Sequence, residues 1–179
     1  MRTRLLCTVL LTCLVSSCGG GNGATSGTPT SPTPSAANVA GTWKGTATFL
    51  TVSPAGNCVA DVFLTVVGRT GERAWSVTQN GSSITVVETQ VPHVETLSGT
   101  VDTSTISLTS QGTNAGTLST GCPDGVDRHM QFKSGSVSAT ISGTRITGTK
   151  TTIYDTWVAA TGARSGGVTT IDSFALDRQ

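Results

Sequence analysis

The chain has 179 residues, of which 12% are charged and 4% aromatic, and it carries 22 glycines with abundant Ser and Thr. Such a length predicts one folded domain, and Ser, Thr, Gly and Val with few Lys or Glu make a composition for strands rather than helices. The formal net charge is +1 and no basic cluster exists, which excludes a nucleic acid or other polyanion as partner.

Residues 1–17 read as an export signal. Arg2 and Arg4 form a positive start, and 5–15 is an apolar run too short to span a bilayer. Losing the two arginines with the leader takes the formal net charge from +1 to −1. The end of the leader, Leu14-Val15-Ser16-Ser17-Cys18, resembles a bacterial lipobox: an aliphatic residue, two small residues, then Cys. The resemblance implies that Cys18 is acylated and becomes the N-terminus, leaving the membrane as partner through that lipid. Residues 18–38 are Gly-, Ser-, Thr- and Pro-rich and read as a disordered spacer. Gly19 after the Cys, where an Asp would signal inner-membrane retention, implies a bacterial cell envelope location at the outer membrane.

The folded domain is expected over 39–179. Its first strand carries Trp43, Gly45, Ala47 and Phe49 on one face and Thr42, Lys44, Thr46 and Thr48 on the other. Small Gly45 and Ala47 on the inward face would let it bend sharply. A second strand is expected over 58–67, apolar on both faces, and a third over 73–79 with Trp75 and Val77 on one face. Asn80-Gly81 is the strongest hairpin signal. Further strands are expected at 84–91, 95–101, 105–110, 127–133, 136–141, 146–158 and 168–178, with 111–125 a loop. No helix is expected after the leader.

About 8–10 short strands with turns between them give an all-β fold, an antiparallel up-and-down β-barrel, with a β-sandwich as the alternative. Closure would also remove exposed edges. Cys7 and Cys13 leave with the leader, so an exported chain pairs Cys58 with Cys122 in a disulfide; the other reading is two separate thiols.

Gly41-Thr42-Trp43 on the first strand, with Arg178 near the end of the last, resembles the calycin pattern of lipocalins, fatty-acid-binding proteins and avidins. The resemblance implies that Trp43 closes one barrel end and Arg178 packs across it, a cation–π pair of about 0.5–2 kcal/mol. Neither the avidin biotin contacts nor the other lipocalin motifs are clear in the chain.

No catalytic residue stands out. A nucleophile elbow is absent, and Gly162-Ala163-Arg164-Ser165-Gly166 has the wrong spacing. No enclosed acid pair for glycoside chemistry is suggested. His93 and His129 lack ligand-spaced partners; Asp127 shares a strand face with His129, but one His and one carboxylate make an incomplete zinc site. Asp124 and Asp127 near Cys122 read as solvated loop carboxylates. Trp75, Trp157 and Tyr154 would suit the lining of a ligand cavity, and otherwise fill the core. The expectation is a monomeric, non-enzymatic lipoprotein with no cofactor and no metal, whose barrel binds a small, mostly apolar ligand. The alternative is a structural or interaction domain of the envelope with no such ligand.

Overall fold

The computed structural model describes residues 35–54, 58–90, 93–111 and 118–179. The expected leader, Cys18 and all but the end of the spacer lie outside these residues.

Ten elements follow one another: β1 (Gly41–Ser53), α1 (Cys58–Leu64), β2 (Thr70–Asn80), β3 (Ser83–Gln90), β4 (His93–Val101), β5 (Thr105–Gln111), β6 (Leu118–Gly121), β7 (Asp127–Ser142), β8 (Arg145–Val158) and β9 (Arg164–Arg178). All strand pairings are antiparallel and run β5-β4-β3-β2-β1-β9-β8-β7. Pairing of β5 with β7 closes these eight strands into a barrel. β6 lies outside the closure and continues β5 along the same edge of β7. The fold is therefore the expected barrel, and the sandwich alternative is excluded.

Three local expectations are corrected. Residues 58–67 are not a strand: 58–64 is α1, followed by a turn to Gly68. Val59, Ala60 and Phe63 recur at helical spacing and meet Met130, Val168, Val52 and Tyr154, while Val62 and Leu64 stay exposed. This burial, with the Cys58–Cys122 disulfide at one end (Cα–Cα 5.6 Å), overrides the β-propensity of the valines. The strands expected at 127–133 and 136–141 are one strand, β7, because Ser134-Gly135 does not turn; the register slips between Phe132 and Ser134 at a β-bulge. The expected loop at 111–125 contains β6.

One end of the barrel is closed. The hairpins there pair Asn80 with Ser83 and Ser142 with Arg145. The first loop residue of each is a glycine, Gly81 at φ 60° and Gly143 at φ 59°, as primed turns require. The β2–β3 loop is thus Gly81-Ser82, one residue later than Asn80-Gly81. Trp43 lies at the join, paired with Trp75 on β2 and Arg178 on β9. It is 1% exposed, and its indole N–H donates to the Val39 carbonyl at 2.8 Å. The Arg178 guanidinium stands 5.5 Å from the centre of the Trp43 ring system and donates to the Ala40 carbonyl at 2.6 Å. Gln79 holds residues 37–39 across this end, accepting from the Val39 N–H at 2.7 Å and donating to the Ala37 carbonyl at 2.9 Å. Val86, Leu97, Val101, Ile106, Leu108, Ile146 and Leu176 fill the lumen behind the plug. At Gly45 the inner wall has no room for a side chain: a Cβ there would collide with the backbone oxygen of Ala175.

The outer wall is coated with hydroxyls. Following the register from β3 round to β2, Ser83, Thr100, Ser107, Ser138, Thr149, Ser173, Thr48 and Thr70 stand side by side, one on each barrel strand. Threonine gives strand propensity without an apolar surface. No described helix is long and apolar enough to cross a membrane.

Candidate functional site

The other half of the lumen, towards the mouth, is charged. The chain has only 11 basic and 10 acidic residues, yet Arg73, Lys150, Glu88, Glu95 and Asp172 converge inside the barrel. Each sits on the inward face of its strand, two positions from a buried apolar residue: Arg73 from Trp75, Glu88 from Val86, Glu95 from Leu97 and Asp172 from Phe174, with Lys150 two positions from Gly148 and four from Ile146. Strand period therefore points all five towards one another.

Glu88 and Glu95 are direct cross-strand neighbours, an unfavourable like-charge pair on its own. Lys150 reaches across from β8 and holds both, with Nζ 2.5 Å from Glu88 Oε1 and 2.5 Å from Glu95 Oε2. Arg73 on β2 spans β1 to reach Asp172 on β9, donating to Oδ2 at 3.0 Å, and its Nε lies 3.8 Å from Glu88 Oε2. The contact runs diagonally across β1, where Gly45 pairs with Arg73 and Phe49 with Asp172. The Trp75 indole N–H donates to Glu88 Oε2 at 2.8 Å, and the Ser110 hydroxyl donates to Glu95 Oε1. Gly135 on β7 leaves the space these last two occupy: a Cβ there would lie 2.8 Å from both Glu95 Oε1 and Ser110 Oγ. Phe174 lies beneath the layer, 5.5 Å from the Arg73 guanidinium and 5.0 Å from Trp75, centre to centre.

Glu88, Asp172 and the Tyr154 phenol respond differently. Burial pushes Glu88 upward, but Lys150, Arg73 and the Trp75 N–H together hold it below the ordinary carboxylate range. Burial raises Asp172, against the pull of Arg73 and Lys150. Its Oδ1 is buried and has no hydrogen-bond partner among the described residues. The Tyr154 phenol is pushed up by burial and then by the negative charge of Asp172, Glu95 and Glu88.

An aromatic group roofs the layer. Phe63 of α1 stacks on Phe49 at 5.8 Å and on Tyr154 at 5.7 Å, and Phe132 meets Tyr154 edge-on at 6.1 Å. Around this roof Leu50, Val62, Leu64 and Val67 are exposed.

The expected ligand-lining residues do not converge. Trp75 is in the lumen and bound to Glu88. Tyr154 belongs to the roof. Trp157 follows fully buried Thr156 and so lies on the alternate face of β8, where it pairs with His129; its buried N–H has no partner among the described residues. His129 meets Ser119 Oγ through Nδ1 at 2.8 Å, and Asp124 is engaged by Arg128 at 2.6 Å. No group of three or more potential metal ligands occurs among the described residues. Cys58–Cys122 and Trp43–Arg178 are the pairs that the sequence indicated.

The expectation that no acids are enclosed is corrected: Glu88 is 2% exposed and Asp172 8% exposed. The signal was one of parity, a charged residue on the apolar face of five separate strands. Neither a protein-family model nor a curated protein matches the chain.

Proposed function

We propose that the chain is an exported lipoprotein, acylated at Cys18 and held at the bacterial outer membrane, whose calycin-like barrel works as an interaction module of the envelope through its outer surface. The observation that carries this reading is the occupied lumen. Trp43 and the aliphatic side chains fill one half, and the Arg73–Asp172 and Lys150–Glu88–Glu95 contacts cross the other. A small-molecule cavity of the usual ~300 Å³ or more would require these side chains to move and leave buried charges uncompensated, at a cost of several kcal/mol. The open groove of about 580 Å³ at the closed end, lined by Ser35, Asn38, Gln79 and Ser82 among others, lies beside the segment leading to the tether and is a surface feature.

One observation favours the small apolar ligand as a second reading. The roof of Phe49, Phe63 and Tyr154 with exposed Leu50, Val62 and Leu64 could hold such a molecule at the mouth without opening the lumen. Site-specific photocrosslinking from position 62 or 64 in intact cells separates the readings. An interaction module gives a discrete adduct heavier than the monomer; recovery of the monomer alone contradicts it. Saturable quenching of intrinsic fluorescence by an apolar compound, abolished by Phe63→Ala, would establish the second reading. For the anchor, Cys18→Ala should release the protein from the membrane fraction, and unchanged sedimentation with membranes would refute acylation there.

A further inference from the structure

We propose that the folded barrel carries a proton on Asp172, and that this proton is what allows a third carboxyl to be enclosed beside two cations among the described residues. The inner layer is otherwise unbalanced. Lys150 is committed to Glu88 and Glu95, and Arg73 to Asp172 and Glu88. With Asp172 neutral, the two cations match the two glutamates.

The geometry selects Asp172 among the three. Glu88 is contacted by both cations and by the Trp75 N–H. Glu95 has Lys150, the Ser110 hydroxyl and a side chain still 19% exposed to water. Asp172 has Arg73 on one oxygen, while its buried Oδ1 lacks a hydrogen-bond partner among the described residues. An ionised oxygen in that position is far more costly than a neutral one.

Among the described side chains, the neighbours of Asp172 are these. β2 presents Arg73, β3 Glu88 and β4 Glu95. β8 presents Lys150, the cross-strand partner of Asp172, and Tyr154. β1 places Phe49 opposite Asp172 and offers no titratable group there. β5 gives the neutral Ser110, and β7 leaves Gly135 beside it. The titratable residue of α1, Asp61, is exposed. Burial accordingly raises Asp172 despite the opposite pull of Arg73 and Lys150.

The consequence for stability has a definite sign. An acid raised in the folded state contributes fully below its unfolded value, and that contribution is lost as pH rises through the raised value. Glu88, held low, behaves oppositely: its contribution is present above its unfolded value and is lost as pH falls through the depressed one. Asp172 therefore makes the barrel tighten on mild acidification, until Glu88 begins to protonate.

Two measurements test this. In a carboxyl-carbon NMR titration of the folded wild-type protein, the Asp172 signal should titrate at a higher pH than a free aspartyl peptide. In urea unfolding across the same pH range, Asp172→Asn should abolish the loss of stability that the wild type shows as pH rises through the Asp172 midpoint. An Asp172 midpoint at or below that of the peptide overturns the proposal. So do parallel pH profiles for wild type and variant. If the variant does not fold, the wild-type titration alone decides.

Discussion

The two halves of the lumen are built on the same strands and yet follow different rules. The closed end is apolar: Trp43, Leu97, Ile106, Ile146 and Leu176 interlock there, and Arg178 touches the indole only from outside. The mouth half holds Arg73, Glu88, Glu95, Lys150 and Asp172 under an aromatic roof tied down by a disulfide. Apolar packing tolerates small errors, because a displaced methyl loses only its own contacts. A buried ion layer does not, because each member is costly without its partner. The closed end thus supplies stability, while the mouth half makes one arrangement of β2, β3, β4, β8 and β9 the only satisfied one.

Substitutions should separate these regimes. Lys150→Met leaves Glu95 without a cation and buried Glu88 with Arg73 alone, and should cost about 3–5 kcal/mol in urea unfolding. Adding Glu88→Gln and Glu95→Gln should return part of that loss, since the two carboxylates that Lys150 holds are then no longer charged. If the triple variant is no more stable than Lys150→Met, the loss reflects packing and the comparison fails. Trp43→Ala should cost a similar ~3–5 kcal/mol, but no second polar substitution should rescue it. A loss below about 1 kcal/mol would mean that the indole does not close the barrel.

The roof comes next. Replacing Cys58 and Cys122 by Ser opens a covalent link with a sequence separation of 64 and should lower stability by roughly 2–5 kcal/mol. Because α1 covers the mouth, hydrogen exchange should accelerate there and in neighbouring parts of β7 and β9 before it does around Trp43. Uniform acceleration would show that the halves are not separable. Arg178→Ala should cost less, about 0.5–2 kcal/mol, because its guanidinium is exposed and adds only the cation–π contact and hydrogen bonds to residues 38 and 40. Val94→Ser, at a side chain 70% exposed, should fall within about 0.5 kcal/mol of wild type.

Legibility in the sequence followed the same division. Strand alternation and hairpin turns gave the barrel, and the Trp43–Arg178 join could be read from the resemblance of Gly41-Thr42-Trp43 and Arg178 to the calycin pattern, with which the shared face of Arg178, Leu176 and Phe174 agrees. The helix at 58–64 was hidden because a short apolar run has no distinctive period, and its burial depends on Met130 and Val168, far away in sequence. The strands expected at 127–133 and 136–141 join because the irregularity between them is a bulge at Lys133, after which Ser134 and Gly135 pair in register with β8. The charged layer was hidden for a different reason. Arg73 and Glu95 open their expected strands, Glu88, Lys150 and Asp172 lie inside theirs, and only the register brings Lys150 to Glu88 and Arg73 to Asp172. The shared parity of the five positions was visible; their shared height in the barrel was not.

The central claim is that side chains of the protein itself cross and occupy the mouth half of the lumen. A double-mutant cycle between Lys150→Met and Glu88→Gln, read by equilibrium unfolding at neutral pH, tests it most directly. Direct contact across the lumen predicts a coupling energy of about 1–3 kcal/mol. Additivity of the two losses to within about 0.5 kcal/mol would mean that the two side chains do not meet, and would contradict the account.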